Sequence, residues 1–149
     1  MLSSSDSTKA AIATLCIDVG LLSVFLTSSR TLFWFDNAFV VVILCSHVLF
    51  YYALFSQDNF LIQWLHYCIF ISLAVSIFLE NTKLLIICLV LLLTIQILWI
   101  VEDRCILNDE NEDTTKFGYS KELSIGVLLY TIILAIKIGF KSNPAVPTQ

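Results

Sequence analysis

The stretch "LLIICLVLLLTIQILWIV", residues 84–101, carries no charge and only two polar side chains, Thr94 and Gln96. Apolar and polar residues do not alternate in it, as they would every second residue over about 10 residues in a strand of a membrane barrel. In hydrocarbon a lone segment satisfies its own backbone only as a helix. About 20 mostly apolar residues are enough to cross a bilayer core. The spacing therefore predicts a membrane-spanning helix.

Working outward from this run, four more can be drawn. The expected spans are 10–27, 37–55, 60–79, 84–101 and 123–140. The connections "SQDN" (56–59) and "ENTK" (80–83) are tight, so helices two, three and four are expected to pack antiparallel in sequence. The expectation is an all-α, integral membrane, up-down bundle forming one transmembrane domain over 1–141. An acidic loop covers 102–122, and a polar tail with two prolines covers 142–149.

Composition points the same way. The chain is 58% hydrophobic and 13% charged, where soluble domains are about 45–50% apolar and about 25% charged. Between Thr8 and Val101 there are seven charges in 94 residues, too few to solvate a globule. The net charge of −4 and the scattered Lys and Arg argue against nucleic acid and leave the lipid bilayer as the expected partner. The five cysteines are odd in number, and four lie in apolar runs, where they are read as reduced, buried thiols. The N-terminal segment resembles a secretory leader, but Asp18 interrupts its apolar core and no A-x-A site follows, so it is read as a retained first span.

Let the A end be the end holding the N-terminus, and the B end the opposite one. Lys9, Arg104, Lys116 and Lys121 fall at A, and Arg30, Lys83, Lys137 and Lys141 at B. The balance is even, so positive charge does not set orientation. The loop "NDENED", 108–113, is rich in carboxylates but lacks the alternating oxygens and central glycine of a calcium loop. Metal ions are not expected there.

The informative residues are polar ones inside oil. His47 lies in "ILCSHVLFYYALF", 43–55, and His66 in "LIQWLHYCIF", 61–70. Counted from the intervening turn, both lie about 12–14 Å from the A end. Asp18 on the first span, Tyr130 on the fifth, and the shallower Gln63 and Gln96 fall in the same half. The B half is expected to hold little but aliphatic side chains, Phe and small hydroxyls. An ionisable group at membrane depth is costly and turns inward. Asp18, His47 and His66 are therefore expected to lie near one another. Such a cluster fits hydrogen bonds between helices, a proton or small-ligand site, or haem held by His47 and His66. Ser-His-Asp, HExxH, P-loop and GxGxxG patterns are absent from the sequence.

One stretch carries a resemblance. "WIVEDRCILNDENE", 99–112, ends a span with Trp99 and continues to Cys105 and Leu107. It resembles small uncharacterised multi-pass membrane proteins of bacteria and of large DNA viruses of algae and amoebae, whose pattern runs Trp-x5-Cys-x-Leu-Thr-x-x-Glu. Asn108 stands in place of the Thr and Asn111 in place of the Glu. The resemblance implies membrane class without an activity. Trp99 is otherwise read as an interfacial anchor, and Cys105 as a loop thiol open to labelling or to a disulfide between chains.

The leading expectation is a membrane protein with a structural, assembly or interaction role, partnered by another membrane protein or by its own copies. The alternatives are a transporter-like bundle binding a proton or small ligand, and an intramembrane enzyme.

Overall fold

A computed structural model describes residues 4–102, 107 and 121–142. Five α-helices follow one another: α1 (Ser4–Ser28), α2 (Trp34–Ser56), α3 (Asn59–Val75), α4 (Thr82–Glu102) and α5 (Lys121–Ser142). A single 3₁₀ turn, Ser76–Phe78, ends α3. No strand occurs among the described residues. All five helices are long and apolar enough to cross a membrane. The acidic loop, the "NDENED" cluster, Cys105 and the polar tail lie outside the described residues, apart from Leu107 and the helix ends.

Local chemistry explains the turns. Gln57 closes α2 in the left-handed region at φ 54°, its N–H returning to the Ala53 carbonyl. Asp58 then caps α3 by accepting the Leu61 N–H at 3.1 Å. Asn81 caps α4, its side-chain oxygen accepting the N–H groups of Lys83 at 2.9 Å and Leu84 at 3.3 Å. The run expected to continue as helix to residue 79 leaves the α-helical path after Val75. Ser76 donates its hydroxyl to the Leu73 carbonyl at 2.7 Å, competing with the backbone ladder at that point.

The helices do not sit side by side in chain order. α1 packs against both α2 and α4, α3 packs against α2, and α5 packs against α4. α4 has its closest backbone approaches to α1 and α5, while α3 meets α4 through side chains. Bulky side chains account for this. Phe70 of α3 stacks on Trp99 of α4 with ring centroids 6.3 Å apart, which holds the two backbones off. Between α1 and α4 the approach is close, and a Cβ on Gly20 would stand 3.4 Å from Ile87.

The main core runs from Leu79, Leu84 and Leu85 at the B end through Leu21, Val40, Leu92 and Leu134 to Trp99 and Val127 nearer the A end. A smaller cluster of Phe50, Ala53, Ile62 and Leu65 closes the A end between α2 and α3. The outside is apolar as well. Leu26 is 78% exposed, Phe55 87% and Ile100 78%. Trp34, Phe78 and Phe140 are exposed at the B end, and Phe55, Phe60 and Trp64 at the A end.

Candidate functional site

The first polar site lies at the seam of α1 and α2. Asp18 stands midway along α1 and His47 just past the middle of α2. The His47 Nδ1–H donates to Asp18 Oδ1 at 2.5 Å, and the Tyr51 hydroxyl donates to Asp18 Oδ2 at 3.0 Å. His47 and Tyr51 share a face because they are four residues apart on one helix. Both carboxylate oxygens are thus used. Side-chain exposure is 10% for His47 and 13% for Asp18, so the pair sits at the edge of the bundle, covered but not central. Ser46, next to His47, is half-buried and bonds its own helix at Val42 O.

His66 stands on α3. It walls a cavity of about 80 Å³ between α1, α3 and α4, with its ring 5.2 Å from that of Phe70. Of the three groups expected to gather, Asp18 and His47 are in contact and His66 lines the cavity. Among the described residues, no group of three or more His, Cys, Asp or Glu side chains could hold a metal ion.

The remaining candidates join other helices. Gln96 of α4 donates from Nε2 to Thr131 Oγ1 of α5 at 2.7 Å. Gln63 is half-buried on α3. Tyr130 of α5, expected in the A half, serves the B half: its hydroxyl donates to the Leu73 carbonyl at 2.5 Å and lies 3.1 Å from Ser76 Oγ. The early end of α3 explains this, because the carbonyls of a last helical turn have no partner within the helix. Trp99 is not a rim anchor. It is 4% exposed and belongs to the core, seven residues on from buried Leu92 and so on the same inward face. Leu107 packs against both core clusters.

The B half holds more polar chemistry than its sequence suggests. Asp36 of α2 is 1% exposed and accepts the N–H groups of Glu80 and Asn81, each at 3.0 Å. A carboxylate at the first turn of α4 also meets the positive end of that helix. Lys137 of α5 donates to the carbonyls of Ile77 and Leu79, the latter at 2.8 Å. Lys141 donates to the Glu80 carbonyl at 2.6 Å and pairs with its carboxylate. The Lys141 ammonium holds the exposed Glu80 carboxyl below its ordinary value of 4.5. The 76–81 turn is thus gripped by α2 at its N–H groups and by α5 at its carbonyls. Only the oddity of a carboxylate inside "FWFDNAF", 33–39, could have flagged this arrangement in the sequence.

The structure thus commits Asp18, His47, Gln96, Tyr130, Asp36 and Lys137 to bonds between elements. Compared with protein-family models, curated proteins and solved structures, the chain matches none of them.

Proposed function

We propose that this chain is an integral membrane protein, a five-span up-down bundle that acts as a structural, assembly or interaction partner of other membrane proteins or of its own copies. Its apolar exterior supports hydrocarbon as the surrounding solvent. The exposed aromatic residues at both ends fit the headgroup levels. The observation that carries the role is the use of the embedded polar groups: Asp18, His47, Gln96 and Tyr130 are tied across helices, with Asp18 satisfied at both oxygens. That arrangement rigidifies a scaffold and leaves the outer faces for recognition.

A second reading rests on the same pair. A carboxylate and an imidazole in contact at mid-depth can also exchange a proton. Reconstitution separates the two. In liposomes with an imposed pH gradient, the scaffold reading expects the wild-type chain and its Asp18→Asn variant to leak protons equally and slowly. Cross-linking in native membranes is then expected to give a discrete adduct with a second polypeptide. Proton flux present in the wild type and lost in Asp18→Asn would replace the scaffold reading with the proton site.

A further inference from the structure

Three voids lie in a row along the inner side of α3. The first, about 80 Å³, reaches Ala10 near the A end. The second, about 30 Å³, reaches Leu21, and a third of about 10 Å³ lies beside them. Ile69 walls all three. From Ala10 to Leu21 the row follows α1 for about 16 Å at 1.5 Å rise per residue. The space is therefore long and narrow.

Its origin is visible in the residues. On α1, Ala10, Ala13 and Thr14 present small side chains at helical spacing toward the first void. On the other side, the Phe70–Trp99 stack keeps α3 away from α4. The two threonines of the first void turn their hydroxyls onto their own helices, Thr14 to the Ala10 carbonyl and Thr94 to the Val90 carbonyl, each at 2.9 Å. They show methyl groups to the void. Apart from His66, its wall is hydrocarbon and aromatic. A void of this kind stays dry and takes apolar guests.

We propose that this row is the binding site of a single acyl chain from a lipid of the A-side leaflet, its head at the A rim beyond His66 and its tail running inward past Ile69 toward Cys88. The proposal rests on the membrane reading above, since only a bilayer supplies such chains at this depth. The shape selects the guest: a compact apolar molecule would fill the first void and ignore the others. Ile69 lines all three voids, which are separate as they stand. Entry of the chain therefore requires Ile69 to turn and join the voids.

Trp99 walls the first void and is nearly closed to the outside, which makes it the reporter. Two single-tryptophan proteins are made by replacing the other tryptophans with Phe, one retaining Trp99 and one retaining the exposed Trp64. Both are reconstituted in bilayers of phospholipid brominated along its acyl chains. Trp64 is expected to be quenched from outside, which reports insertion. Trp99 is expected to be quenched at least twofold, and Ala13→Phe, which fills the first void, to remove most of that quenching. Ala10→Leu, a smaller substitution in the same wall, is made alongside in the Trp99 protein and is expected to remove part of the quenching if Ala13→Phe fails to fold. Native mass spectrometry then identifies the source of the chain: a phospholipid adduct supports the proposal, while a free fatty acid adduct overturns the assignment to a leaflet lipid. Quenching of Trp64 without quenching of Trp99 overturns the acyl-chain site and leaves the membrane reading standing. Absence of quenching at every position overturns both.

Discussion

Asp36 is the residue on which the B end depends most. Its carboxylate takes two backbone N–H groups that have no other partner in the 79–81 turn, and its own exposure is 1%. Asp36→Ala is expected to destabilise the protein by about 1–3 kcal/mol, the cost of leaving buried donors unsatisfied, measured by reversible unfolding in bicelles. The Asp18 pair allows a test of a different kind. Asp18→Leu strands His47 and Tyr51 and is expected to cost about 1–3 kcal/mol. Adding His47→Leu is expected to recover part of that loss, because replacing both partners by apolar groups is close to neutral. A double variant weaker than the sum of the single losses contradicts the pairing. Outside the spans, Glu80 titrates below 4.5 because Lys141 lies beside it. Its contribution is present above pH 4.5 and disappears as pH falls through the lowered value. Lys141→Ala is expected to flatten that dependence in an acid unfolding series, by an amount that shrinks with salt. Asp18 and His47 could be singled out in the sequence because charge in oil is rare. Asp36 shares that oddity, but its role lies in two N–H groups 44 and 45 residues away, which the sequence does not reveal.

Helix number and order are readable from the sequence, because five apolar runs of this length have no other structure in hydrocarbon. The facing of each helix is less readable, for an apolar run gives no inward stripe. Trp99 illustrates this: a tryptophan near a helix end reads as a rim anchor, yet its phase with Leu92 turns it into the core. The end of α3 is hidden for another reason. "AVSIFLEN", 74–81, contains no Gly or Pro. The stop is fixed instead by Ser76 and by the Tyr130 hydroxyl arriving from α5. Tyr130→Phe is expected to loosen that junction, with faster amide exchange over residues 73–79 and little change in α1. Gln96→Leu should weaken the α4–α5 pair by about 0.6 kcal/mol, and no more than about 1.7 kcal/mol, the range of hydrogen bonds between membrane helices.

At the level of the whole molecule, α1 joins two pairs, α2–α3 on one side and α4–α5 on the other. Short connections alone suggest that α4 follows α3 around the bundle. The large Phe70 and Trp99 rings hold the α3 and α4 backbones apart while α1 approaches α4 closely at Gly20, and the gap left along α3 becomes the row of voids. Two exposed thiols make the central claim directly measurable. Cys16 and Cys45 lie on the outside of the helices, so in water they would be open to any reagent. With Cys68, Cys88 and Cys105 replaced by Ser, membranes holding the chain are treated with a membrane-impermeant maleimide applied to both faces. If hydrocarbon covers the bundle, Cys16 and Cys45 stay unlabelled until the protein is unfolded in detergent, while a cysteine introduced at Lys83 labels at once. Rapid labelling of Cys16 and Cys45 in intact membranes would contradict the account.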